Sequence, residues 1–104
     1  MSKATLAALS ECIPIFTMLQ DENRQQILML LFDHHSMTVS ELTDHLALSR
    51  PAVSHHLKLL RDCGLIQAVK NGKERIYSLS MDKAVVLLKN LLQSLERDMN
   101  LTPG

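Results

Sequence analysis

The chain has 104 residues, a length that predicts one domain. Hydrophobic residues make up 46% of it and aromatic residues 3%, a composition that favours a small helical protein with an aliphatic core over a disordered chain. The formal net charge is zero, but the two signs are separated along the chain. Residues 49–76 hold six basic and two acidic side chains, whereas residues 1–48 hold two basic and six acidic. The basic segment is therefore a candidate for binding a polyanion.

The compartment is predicted to be the cytoplasm. No stretch approaches the roughly 20 apolar residues of a membrane span, and the apolar run at residues 4–19 is interrupted by Glu11 and Pro14 with no small-residue cleavage site after it. Cys12 and Cys63 lie far apart without a CxxC spacing, so neither a disulfide framework nor a zinc site is expected. We expect both thiols to be reduced, no membrane partner and no cofactor.

Three helices are predicted before residue 47. Residues 4–20 carry apolar side chains at helical spacing, and Pro14 is expected to bend or divide this first helix. Asp21 and Glu22 open a second helix with a wide apolar face, which closes near residues 34–35. A capping box with Thr38 as N-cap and Glu41 three residues later begins a short third helix.

A fourth helix lies in residues 48–64, and both of its ends are indicated by the sequence. Ser49 is an N-cap residue, Pro51 is tolerated only in a first turn, and Gly64 suits the left-handed position that ends a helix. Its apolar stripe consists of Val53, Leu57 and Leu60. The opposite side carries Arg50, Ser54, His55, Lys58 and Arg61. Small side chains at its start and a basic flank are the composition of a recognition helix that enters the major groove of DNA.

A β-hairpin is predicted next, from two extended segments at residues 65–70 and 75–79. Asn71-Gly72 between them indicates a type I′ turn, with positive φ at both positions. The tip carries Lys70, Lys73 and Arg75, which would meet the phosphate backbone. The predicted fold class is thus mainly α with a small β-hairpin, a winged helix-turn-helix with five helices.

The fifth helix is predicted from Ser80 to about Asp98, and it has two apolar rows instead of one. An internal core needs only one row, although both could serve it, so the second row favours a homodimer through the first and last helices. The predicted interface residues are Leu6, Leu9, Ile13, Val85, Leu88, Leu92 and Leu95. The domain prediction is one winged helix-turn-helix domain over residues 1–104 with terminal dimerisation helices.

The sequence resembles the ArsR/SmtB family of dimeric bacterial winged-helix repressors. The resemblance rests on DENRxxILxLL at residues 21–31, SEL at 40–42, LSRPAVSHHLKLLRDCGLI at 48–66 and NGKERIYSL at 71–79. It implies a homodimer that binds an imperfect palindromic operator in double-stranded DNA and releases it when an effector binds. It also implies that Arg50, Pro51, Ser54 and His55 face the DNA.

Metal sensing is the activity most often associated with that family, but neither usual site is present. The third-helix site needs thiolates where this chain has Thr38 and Ser40, which are poor ligands for soft metals. The last-helix site needs Asp, His and Glu. One alignment register places Met81, Lys83, Ser94 and Arg97 there, and the other places Asp82, Ala84, Leu95 and Asp98. Neither register makes a zinc site, so no metal is predicted.

The remaining candidates for effector chemistry are Cys12 and Cys63, which could form a disulfide or polysulfide if they approach each other and one is a thiolate. We favour two buried hydrophobic side chains instead. The adjacent histidine pairs, at residues 34–35 and 55–56, diverge by about 100° on a helix and do not chelate a metal. His55 is expected to face DNA, and His56 to flank the buried stripe.

The predicted function is a DNA-binding transcriptional repressor with an unknown effector. The predicted DNA-binding residues are Ser49, Arg50, Pro51, Ser54, His55, Lys58, Lys70, Lys73 and Arg75, although any one of the basic residues could belong to a solvated face. Two alternatives remain: a repressor that responds to oxidants or reactive sulfur through its thiols, and a winged-helix module that binds protein and not DNA. An enzyme is not expected, because the spacing supports no catalytic constellation and no phosphate-binding glycine loop.

Overall fold

The computed structural model describes residues 1–101, and it contains five helices and three short strands. In chain order the elements are α1 Lys3–Leu19, α2 Glu22–His34, β1 Ser36–Thr38, α3 Val39–His45, α4 Arg50–Asp62, β2 Ile66–Asn71, β3 Glu74–Leu79 and α5 Asp82–Asp98. The predicted fold class, mainly α with a hairpin and five helices, is confirmed. The fifth helix begins at Asp82, two residues later than predicted, with Met81 as its N-cap residue.

The sheet has a third strand that the sequence analysis missed. The strand order is β1-β3-β2, both pairings are antiparallel, and Met37 of β1 lies opposite Tyr77 of β3. Both of these side chains are buried. Three residues are too few to show the alternation that predicts a strand, and β1 forms because it can add to the edge of the hairpin. This strand ties the start of α3 to the wing.

The turn of the hairpin lies one residue later than predicted. Asn71 pairs with Glu74, so the two central residues are Gly72 and Lys73. Only Gly72 has a positive φ, +66°, which is the pattern of a type II′ turn with glycine first and not that of a type I′ turn. The prediction for Asn71 is therefore wrong. Lys73 stands at the very tip of the wing as a result.

Pro14 does not divide α1, contrary to one of the two expectations for it. The helix runs unbroken from Lys3 to Leu19 with Pro14 inside it. Proline removes one backbone N–H from the helix ladder, but Cys12 and Ile15 on either side are buried. Their burial holds the helix together across the missing hydrogen bond.

The helix caps predicted at Thr38 and Ser49 are present, and Asp21 at the predicted start of α2 is a cap as well. Asp21 Oδ1 accepts a hydrogen bond from the Arg24 N–H at 3.0 Å and caps α2. Thr38 and Glu41 form the complete capping box of α3, and Ser49 Oγ accepts from the Ala52 N–H at the start of α4. At the other end of α4, Gly64 has a φ of +83°. These local devices set where the helix-turn-helix begins and ends.

The core surrounds the inner face of α4. The predicted stripe is fully buried, with Val53, Leu57 and Leu60 each at 0% exposure. Fully buried side chains from α2, α3 and the segment after α4 belong to the same cluster, namely Ile27, Leu31, Leu42, Leu65 and Ile66. The helix therefore has one orientation in which its apolar face is covered, and its polar face points outward.

The terminal helices α1 and α5 pack against each other. Thr5 Oγ1 of α1 lies 2.7 Å from Ser94 Oγ and 2.7 Å from Asp98 Oδ2 of α5. On α5, the row with Ala84 and Leu91 is buried. The other predicted row, which includes Val85 and Leu92, is partly exposed in the single chain.

We predict that Leu57→Ala lowers the free energy of unfolding by about 3 kcal/mol, because it leaves a cavity in the middle of the core. Urea unfolding followed by circular dichroism measures this loss. Val69→Ala is the control, because Val69 is exposed on β2 and should change stability little. A loss for Leu57→Ala no larger than the control would contradict the placement of the stripe.

The Asp21 cap predicts a pH dependence of stability. The hydrogen bond from the Arg24 N–H, and then the charge of Arg24, hold the pKa of the Asp21 carboxyl below its usual range. A lowered pKa in the folded state stabilises the protein above the unfolded pKa of about 3.9, and this contribution is lost as the pH falls through the folded pKa.

Asp21→Asn keeps the cap but removes the titration. We expect wild type to have the higher melting temperature at neutral pH and the difference to shrink below about pH 4. A difference that stays constant or grows in acid would show that the Asp21 charge does not stabilise the fold.

Candidate nucleic-acid interface

The first half of this site is the start of α4. The predicted residues there are exposed, namely Ser49, Arg50, Pro51, Ser54 and His55. They are exposed because Val53 and Leu57 hold the opposite face in the core. The Ser49 cap leaves the first turn of the helix open to an approaching surface.

The second half is the wing formed by β2 and β3. Lys70 pairs with Arg75 across the two strands, and Lys73 occupies the turn beyond them. All three side chains are exposed. The hairpin thereby gathers three cations within a few residues of its tip, where the acidic Glu74 is the opposing charge.

The two halves meet at a cavity of about 230 Å³. Arg50 lines it from α4, and Lys73 and Arg75 line it from the wing. The remaining lining residues are Thr38, Val39, Ser40, Glu74 and Tyr77. The structure thus places the first basic residue of α4 and two basic residues of the wing on the same side of the molecule, as docking on one duplex requires.

Lys58 differs from the other predicted DNA-binding residues because it already has a partner. Its Nζ lies 2.8 Å from Asp62 Oδ2, one turn further along α4. The Lys58 hydrogen bond, followed by its charge, lowers the pKa of the Asp62 carboxyl. Both side chains are exposed, so the pair contributes little to stability and would exchange for a phosphate contact at small cost.

Arg24 of α2 forms a clamp that the sequence did not predict, because its side chain contacts both α1 and α4. Arg24 of α2 donates from Nε to the carbonyl of Met18 at 2.9 Å and from Nη2 to the carbonyl of Thr17 at 3.2 Å. Its Nη1 lies 3.5 Å from Nδ1 of His56 on α4. His56 is half-buried beside the stripe, where it was expected. The sequence showed Arg24 only as one residue of the segment that resembles the family. Its contacts could not be predicted, because they lie in two other helices, α1 and α4.

The two cysteines lie in different surroundings, and their role as a thiol sensor stays a prediction. Cys12 is fully buried, and its thiol donates to the Leu87 carbonyl with an S···O distance of 3.4 Å. Burial, followed by the charge of Glu11, raises the pKa of Cys12. Cys63 is half-buried at the end of α4, and burial raises its pKa too. Both shifts disfavour the thiolate that such chemistry needs.

Within residues 1–101, no group of three or more His, Cys, Asp or Glu side chains is arranged to hold a metal ion. The residues in the two alignment registers for the last-helix site include Ser94 and Asp98, and these bind α1 of the same chain through Thr5. Over the same residues, none of the helices combines the length and the apolar character that crossing a bilayer requires.

The model of the bacterial regulatory proteins of the arsR family matches residues 21–68, from α2 into β2. The chain is 35% identical over 75 residues to an uncharacterised HTH-type transcriptional regulator of Methanocaldococcus jannaschii, a match that covers 72% of this chain and 84% of the relative. The chain belongs to the ArsR family. The predicted family and a DNA-binding transcriptional regulator, as opposed to an enzyme, are confirmed by this membership.

Two further relatives extend over most of this ArsR-family chain. The arsenical resistance operon repressor of Staphylococcus xylosus is 33% identical over 81 residues, covering 78% of this chain and 77% of the relative. The solved structure of HlyU from Vibrio cholerae, described as a transcriptional activator, superposes with a TM-score of 0.69 at 31% identity and covers 93% of this chain and 96% of that one. The winged-helix architecture therefore includes α1 and α5, which lie outside the matched family model.

We predict that Lys73→Ala weakens binding to every duplex by a similar factor, because a phosphate contact carries no sequence information. The slope of log affinity against log salt should fall by about one unit. Arg50→Ala should instead reduce the preference for promoter DNA over random DNA. Fluorescence anisotropy over a salt series on both duplexes measures the two effects.

Lys3→Ala is the matched control for these losses of charge, because Lys3 is exposed at the start of α1. It should leave affinity and salt slope nearly unchanged. If Lys73→Ala and Arg50→Ala behaved like Lys3→Ala, the cavity between α4 and the wing would not be the interface.

Proposed function

We propose that this protein represses transcription in the cytoplasm by binding a palindromic operator as a homodimer, and that an effector releases it. The observation that carries the proposal is the cavity at which Arg50, Lys73 and Arg75 meet. A recognition helix placed in the major groove would bring these side chains to the adjacent phosphates. Direct competition with the transcription machinery for promoter DNA would then produce repression.

The homodimer is supported by apolar side chains that the single chain leaves exposed. Leu6 and Ile13 of α1 are each 51% exposed, and Leu92 of α5 is 57% exposed. Val85 is also exposed, whereas Leu9, Leu88 and Leu95 are half-buried. Because the inner row of α5 already packs against α1, Val85 and Leu92 on the other row stay exposed in the single chain, and a second copy would cover them.

A two-fold axis through these helices would duplicate the DNA-binding surface. Two recognition helices would then enter successive major grooves on one face of the duplex, about 10 base pairs apart or a multiple of this. Each half would contribute its own phosphate contacts, so the dimer would bind far more tightly than one half alone. The same symmetry accounts for a palindromic operator.

Effector-controlled release rests on the resemblance and on the repressors among the relatives, and the effector itself is unassigned. A cavity of about 350 Å³ lies between α1, α5 and the end of α4, lined in part by Cys63, Lys83 and Leu87. Because residues of α1, α5 and α4 all line this cavity, a movement of the proposed dimer helices there would alter the position of the recognition helix.

We predict that Leu92→Glu converts the dimer into a monomer, because it buries two carboxylates near the two-fold axis. Analytical ultracentrifugation measures the mass, and hydroxyl-radical footprinting of the DNA upstream of its own gene measures operator binding. Wild type should be a dimer that protects two segments about one helical turn apart. Leu92→Glu should be a folded monomer that protects neither at the same concentration.

Met29→Glu is the control, because Met29 is an exposed apolar residue of α2, outside the proposed interface. It should remain a dimer and give the full footprint. A dimeric Leu92→Glu would refute the interface, and a wild-type protein that binds no DNA at low salt would refute the repressor.

A further inference from the structure

Two histidines from different helices meet on the side of α2 and α3. His34 is the last residue of α2, and His45 is the last residue of α3. Their ring centroids are 5.5 Å apart, and the ring planes are inclined by 53°. Neither is among the predicted DNA-binding residues. His34 and His45 are eleven positions apart in the sequence, so no local spacing predicts this pair.

The hydrogen bond of His45 leaves one ring nitrogen free. Nδ1 of His45 lies 2.9 Å from the carbonyl oxygen of Glu41. Because a carbonyl can only accept, Nδ1 carries the proton and Nε2 has the available lone pair. Metal-binding histidines commonly donate their other ring N–H to a backbone carbonyl in this way, which fixes the tautomer and the ring orientation.

The separation of the rings matches that of two imidazoles on one metal ion. A Zn–N bond is about 2.0–2.1 Å, and with the metal in line with each ring the centroids lie roughly 5 Å apart at a tetrahedral angle. The observed 5.5 Å is close to this value. Both side chains are exposed, so the rings are free to rotate and bring one nitrogen each to a common ion.

The local charge also suits a cation. Glu41 is an acidic residue that lies one turn before His45 on α3. It accepts from the Thr38 N–H at 3.0 Å in the capping box, so it acts as a neighbouring negative charge and not as a third ligand.

We propose that His34 and His45 together bind one divalent cation that prefers imidazole nitrogen, of the Zn²⁺ or Ni²⁺ type, with water completing its coordination. The cation would join the end of α2 to the end of α3. No third protein ligand completes the site within the described residues, so the binding is weaker than that of a structural zinc site. This proposal does not depend on the proposed repression.

The test uses the untagged full chain, freed of metal by a chelator and titrated with ZnCl₂ in an isothermal calorimeter and in a thermal unfolding assay. We expect one Zn²⁺ per chain and a higher melting temperature with Zn²⁺ than without. His34→Gln and His45→Gln should each reduce the affinity at least tenfold and remove the thermal shift. Circular dichroism checks that both variants are folded, as expected for exposed positions.

Two controls separate this site from other donors. His35→Asn removes the neighbouring imidazole but keeps a residue type that tolerates the positive φ of 69° found there. Cys63→Ser removes the partly accessible thiol. Both should bind Zn²⁺ like wild type. Absence of binding in wild type, or binding that survives His34→Gln or is lost in either control, would overturn the proposal.

Discussion

Burial of one face of α4 is the constraint on which the rest of this structure depends. Val53, Leu57 and Leu60 are completely removed from solvent, and α2, α3 and the start of β2 supply the surface that covers them. Because a helix with a fixed apolar stripe has only one orientation in the core, its polar side is fixed as well. The Arg24 clamp on His56 adds a polar contact to the same packing. The orientation of the proposed DNA-binding surface is thus a consequence of the core.

The electrostatics follow from the order of the elements along the chain. The basic residues are concentrated between residues 49 and 76, where the recognition helix is followed directly by the wing. The Gly72 turn brings the end of that segment back toward its beginning, so Arg50 and Lys73 line one cavity. A chain with no net charge can therefore present a basic surface, because only two of its eleven acidic residues lie in the basic segment 49–76.

Local signals in the sequence predicted much of this fold. The caps at Thr38 and Ser49 and the helix end at Gly64 depend on residues within one turn, and all three are where the sequence placed them. What failed to be predicted depends on distant partners. Strand β1 forms only because it pairs with β3. The pairing of Asn71 with Glu74 places the hairpin turn one residue later than predicted. Likewise, the contact between His34 and His45 could not be predicted, because each residue lies at the end of a different helix. The candidate DNA contacts could be chosen from the sequence because they are basic or polar residues. That Arg50, Lys73 and Arg75 lie on the same side of the molecule could not be predicted, because it depends on how the wing folds back on α4.

The most direct test of the account is chemical-shift mapping of the isotope-labelled protein with a duplex from its own promoter. If the buried stripe of α4 presents the opposite face to DNA, backbone signals should shift at residues 49–55 and 70–75. Val53 should respond less than its exposed neighbours, and the middle of α2 should not change. Shifts confined to α2, or found in the wing but absent from the start of α4, would contradict the claim that the buried stripe presents this face to DNA.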